Sequence, residues 1–282
     1  RTLSIYQGKN ILTDMTLFGV GAGGGGAGGT TLGRIGWGYI YPNFNAAIRY
    51  TTPDFNGVKL TAGIYDPSTI GGPDMDGDGD TDGVSETSAP RVEAELSYAG
   101  DVGGASVSAW ASGMYQTAQR STGNIQEACA NAANGGAGAA TPAVAGQTCG
   151  VSSDVNVGGG AFGLQLGFGG LTLTGSGYIG RGLGTTLMID TDALDAAGDK
   201  RTHHGYVAQG TYAFGQGTSI GASYGRSSAD ETRTDFLQRA GTTVGIENQN
   251  FLDFMVWHDI NANLRIVGEY GLQEREWHDG AD

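Results

Sequence analysis

The feature that most constrains this chain is a period of two. Apolar and polar residues alternate in run after run, so successive side chains of an extended strand would point to opposite faces. Between Asn45 and Thr51, residues Ala46, Ile48 and Tyr50 share one face. Between Val58 and Tyr65, Val58, Leu60, Ala62 and Ile64 oppose Lys59 and Thr61. From Arg91 to Tyr98 the alternation is clearest, with Val92, Ala94, Leu96 and Tyr98 against Arg91, Glu93, Glu95 and Ser97. Further runs lie near 105–116, 158–168, 171–181, 204–214, 218–226, 250–258 and 264–273. The pattern predicts an all-β chain of about ten to eleven strands, each near the length of about 9–11 residues with which a tilted strand spans a bilayer.

The connections alternate in length. Short turns fall at Pro53 to Gly57, Gly100 to Gly104, Gly169-Gly170, Gly215 to Gly217 and Asn261 to Asn263. Long polar segments lie between them, near 66–89, 117–154, 182–202, 227–248 and from 274 onward. Long loops gathered at one end are the signature of a transmembrane antiparallel up-and-down β-barrel, with periplasmic turns and extracellular loops. A soluble β-sandwich has no reason to sort them so. An Arg or Lys facing lipid at mid-membrane costs about 2–4 kcal/mol. Arg49, Lys59, Arg91 and Arg265 all fall on the polar parity of their strands, as do Glu93, Glu95 and Glu269. These seven are the expected pore-lining residues of a single barrel domain over 1–282. Trp110 and Tyr178 share the inward parity.

Composition agrees and excludes alternatives. Glycine is abundant, at 53 residues, and proline scarce, at 6, but no Gly-X-Y period is present, so collagen is excluded. Aromatics at 9% are too many for a disordered chain. The net charge of -14 argues against a nucleic-acid partner. No apolar run is long enough for a transmembrane helix, which does not bear on strands. Catalytic signatures of the HExxH or Gly-x-Ser-x-Gly kind are missing. His203 and His204 are adjacent and would face opposite ways, while His258 and His278 stand apart. No enzymatic activity is expected. The glycine run from Gly19 to Gly29 lacks the Gly-Lys-Ser/Thr of a phosphate-cradling loop.

Two loops carry chemistry of their own. In segment 66–89, Asp74, Asp76, Asp78, Asp80 and Asp82 place carboxylates at every second position. Counted from Asp74, Gly79 takes position 6 and Asp82 position 9, which resembles calcium loops of the EF-hand and thrombospondin-repeat kind. A hard cation would relieve the mutual repulsion of these carboxylates. Position 12 is Ser85 rather than Glu, so the alternative is a solvated acidic loop that repels anions. Calcium is the one ligand expected; no cofactor is required. Loop 117–154 holds the two cysteines, Cys129 and Cys149, which an oxidising compartment would join into a staple.

At the level of motifs the chain resembles the Gram-negative general porins. Tyr6 to Thr16 resembles the strand end and inward-folded third loop of that family. Ile48 to Val58 is similar to its "IRY-x-(S/T)-P-x-F-x-G" hairpin, and Pro90 to Tyr98 looks like the strand that follows. The resemblance implies a sixteen-stranded barrel, a homotrimer, and a place in outer-membrane lipid and lipopolysaccharide. It implies passive diffusion of ions and small hydrophilic solutes. It also makes 8–34 a constriction loop offering Lys9, Asp14 and Arg34, fewer acids than the family pattern suggests. Register against the pattern makes residues 1–7 the end of the fifth strand and puts 277–282 in the last extracellular loop. The expectation is therefore a partial chain. Two other functions fit less of the sequence. A substrate-selective channel of the same architecture would show a row of aromatics or arginines along the lumen. A secreted or surface glycine-rich calcium-binding adhesin would need repeats of fixed period, and none is found.

Overall fold

The computed structural model of the protein describes residues 8–16, 33–73, 83–121, 153–238 and 245–278. Its main element is a ten-stranded antiparallel sheet. In chain order the strands are β1 (Ala47–Thr51), β2 (Val58–Tyr65), β5 (Arg91–Val102), β6 (Ala105–Gln119), β7 (Asp154–Phe168), β8 (Leu171–Arg181), β9 (Thr202–Gly215), β10 (Thr218–Ala229), β11 (Ile246–Asn261) and β12 (Leu264–Trp277). Each pairs with the strand before and after it, and among the described residues β1 and β12 are the two edges. A separate two-stranded ribbon, β3 (Ile70–Gly71) with β4 (Gly83–Val84), stands in the long segment between β2 and β5. Two short helices, α1 (Gly8–Thr13) and α2 (Arg233–Gln238), lie outside the sheet.

The fold class read from the alternation is the one observed, and the short turns show why the meander is regular. Asn56 and Gly57 both have positive φ, at 53° and 89°, as do Gly103 and Gly104, at 60° and 86°. Such pairs form the hairpin turns whose twist matches that of the flanking strands.

Several strands run further than the alternation indicated, most of them at the long-loop end. β7 begins at Asp154 rather than near 158, β11 at Ile246 rather than near 250, and β12 continues to Trp277 rather than 273. In the β11 and β12 extensions both faces are polar, as in Asn248-Gln249-Asn250 against Glu274-Arg275-Glu276. Backbone pairing holds the ladder there without any contrast between faces for a periodicity to detect.

One face of the sheet is apolar and bare. Ile48, Phe162, Ile179 and Tyr270 on it are exposed, Ile48 by 75%. The opposite face is polar and covered: Arg91 is 0% exposed and Glu93 3%, while Val92 between them is 44% exposed. A short segment crosses this face. Lys9 in α1 reaches Glu95 on β5 at 3.9 Å, and Thr16 donates a hydrogen bond to Asp253 on β11 at 3.3 Å. A twisted antiparallel sheet of this width curls, and the polar face, over which the segment lies, is the concave one.

Candidate functional site

The concave face is the candidate site, and two inward segments cross it. In the first, the Met15 amide donates to the Gln209 side chain of β9 at 3.0 Å, and Gln209 donates back to the Thr13 carbonyl at 2.8 Å. Here Met15 packs over Gly221 of β10, where any Cβ would overlap its sulfur. The second, residues 33–41, lies on β9 to β11. Gly38 donates to Ser227, and Gly225 leaves room for the Trp37 carbonyl. The Trp37 ring packs on Phe251 of β11 with centroids 6.0 Å apart.

Asp14 ties the two segments together. It accepts from the backbone amides of Thr16 at 3.0 Å and Arg34 at 3.2 Å, and from the Tyr39 hydroxyl at 2.5 Å. The buried Arg34 guanidinium lies 3.9 Å from Asp14, donates to the Phe251 carbonyl at 2.8 Å and to the Ser223 hydroxyl, and stacks over the Phe251 ring. The loop acid is turned back onto its own segment, while the loop cation Lys9 meets a wall carboxylate, Glu95.

The expected wall residues divide into two groups. Arg91, Glu93 and Glu95 are side by side on the concave face of β5. Arg91 pairs with Glu93 at 2.9 Å, donates to Ser68 at 3.0 Å and lies over the Tyr65 ring. Glu269, on β12, is half-buried and shares a hydrogen bond with Asp253. Lys59 and Arg265 stand instead at the short-turn end, exposed, each held by a local acid: Asp54 at 3.3 Å and Asp259 at 2.5 and 3.0 Å. Arg49 is exposed on the edge strand β1, opposite Gly63. Asp74, Asp76, Asp78, Asp80, Asp82, Cys129 and Cys149 lie outside the described residues.

The segment between β8 and β9 departs from its sequence reading as a polar loop. Leu183, Met188, Ile189, Ala193 and Leu194 turn inward and pack with Ile40, Ile70 and Val84. Beneath them are Met114, Ala118, Val155, Val157, Ala161 and Tyr178 of β6 to β8. Part of the concave face near the long-loop end is thus an apolar core. Polar anchors surround it. Arg201 and Asp235 form a buried pair at 2.6 Å that joins this segment to α2. Burial works against the Asp235 carboxylate, but its hydrogen bonds and ion pair with Arg201 outweigh that and hold it below the usual range. Asp190 and Asp192 share a hydrogen bond; burial and the charge of Asp192 push Asp190 up to about 9. Asp192 is held well below the usual range although burial opposes it, by Asp190, by the His203 ring 3.7 Å away and by a hydrogen bond from the Thr185 hydroxyl. The one sequence signal was the apolar run inside this segment, whose spacing follows no period.

The comparisons with known proteins follow this architecture. The outer membrane channel DcaP of Acinetobacter baumannii is 14% identical with a TM-score of 0.62, over 94% of this chain and 66% of that one. Pseudomonas putida OprB, in its high-pH structure, is 13% identical with a TM-score of 0.50, over 84% of this chain and 56% of that one. At such identities the likeness is one of fold, and this chain spans about two thirds or less of either relative's length. Among curated proteins none matches. A family profile described as Gram-negative porin matches residues 2–275, nearly the whole chain. The chain belongs to the Gram-negative porin family, proteins of the bacterial outer membrane.

Proposed function

We propose that this protein forms a water-filled channel for passive diffusion of ions and small hydrophilic solutes, and that it is not an enzyme. The observation that carries the reading is the division of the sheet: a bare apolar face outside, and ionised, hydrogen-bonded side chains on a concave face inside. Lipid suits the first and water the second. Segment 8–34 narrows the lumen in this reading, because its described ends cross from β5 to β11. The working unit is a homotrimer in lipid and lipopolysaccharide. Calcium is taken up at Asp74, Asp76, Asp78, Asp80 and Asp82 near the mouth, and Cys129 is joined to Cys149.

Single-channel recording of the full-length protein in a planar bilayer tests this. Steady ohmic steps are expected, and calcium is expected to alter them. Folded protein that gives no steps would reject the open channel.

A further inference from the structure

Arg275 stands on the inward face of β12, paired in register with Gln249 near the long-loop end. It is partly buried, with its guanidinium carbon 5.0 Å from the centroid of the Trp37 ring. Its Nε is shut off from solvent and has no acceptor. No hydrogen bond or carboxylate partner holds it among the described residues. The Trp37 indole N–H, buried in the same stack, also lacks an acceptor.

The contrast with Arg34 is informative. Both arginines lie on one aromatic stack, Arg34 over Phe251 and Arg275 over Trp37. Arg34 has a carbonyl, a hydroxyl and a nearby carboxylate. Among the described residues Arg275 has none of these. A guanidinium stays charged in any protein, so partial burial without a counter-charge is unfavourable. The ring offsets part of that cost but leaves the in-plane N–H groups unused. Those groups form a planar fork that fits a carboxylate through two parallel bonds, with the ring still underneath. Arginine and tryptophan side chains offer donors and no acceptors. A cation is therefore excluded at this spot, and a neutral sugar would be held more weakly than an oxyanion.

We infer that Arg275, stacked on Trp37, binds the carboxylate of a small organic anion at the long-loop mouth of the lumen. The inference rests on the channel reading, which puts Arg275 in a solute's path. The test is calorimetric titration of sodium succinate into the full-length protein in detergent, with chloride as the background anion, for the wild type and Arg275→Gln. The substitution keeps the bulk and removes the charge; circular dichroism checks that the sheet is intact. Saturable binding is expected, weakened at least about tenfold in the variant. Equal binding by Arg275→Gln, or none by the wild type, overturns the site. The bilayer recording separates the two ideas. Ohmic steps without succinate binding keep the channel and remove the site. Arg275-dependent binding without steps keeps the site and removes the channel.

Discussion

Asp190 and Asp192 divide one proton unequally, and the division makes a prediction about pH. Asp190 rises from an ordinary value of 3.8 to about 9. The stability it lends by staying protonated is fully present below 3.8 and is lost as pH climbs through about 9. Asp192 moves the other way, and its effect is confined below 3.8. Between pH 5 and 9 the thermal midpoint of the wild type should therefore fall relative to Asp190→Asn, whose amide cannot ionise. Parallel curves in detergent would show that Asp190 holds no such proton. The buried Arg91–Glu93 pair makes a second prediction: Arg91→Met leaves a carboxylate buried without its counter-ion. A loss of about 3–5 kcal/mol is expected in denaturant unfolding. Which face Arg91, Glu93 and Glu95 occupy was legible in the sequence, because parity on one strand fixes it. The stacking of Arg275 on Trp37 was not, because it joins distant parts of the chain and no period encodes such a meeting.

Among elements, strands were legible wherever one face meets lipid and the other does not. β5 is the clearest case, and it offers an internal comparison. Leu96 is exposed on the apolar face, and Ser97 next to it faces inward. Leu96→Arg should cost about 2–4 kcal/mol near the bilayer midplane, whereas Ser97→Arg should cost far less. Unfolding from lipid vesicles measures both, and equal losses would place the membrane elsewhere. The inward turn of segment 182–201 was not legible. Leu183, Met188, Ile189 and Leu194 carry neither a helical nor a strand spacing. Only the cavity formed by β6 to β8, together with Ile40, Ile70 and Val84, gives them something to pack against.

For the whole molecule, curvature turns a sheet into a vessel, and the apolar core at its long-loop end fills part of the opening. Replacing residues 184–199 with a two-glycine link should raise single-channel conductance, since the core would lose Met188, Ile189, Ala193 and Leu194. An unchanged step size would mean that solutes already pass clear of it. The carboxylate of Asp14 has a different sort of reach. It grips the chain at Thr16 and again at Arg34, so the glycine-rich stretch between them begins and ends at one fixed point. The entropy of closing such a stretch changes slowly with length, by about 0.6 kcal/mol per doubling. The length of that stretch can therefore change while the contacts of Asp14, Thr16 and Arg34 stay in place. Change is confined between two anchors, and the sheet behind them keeps its form.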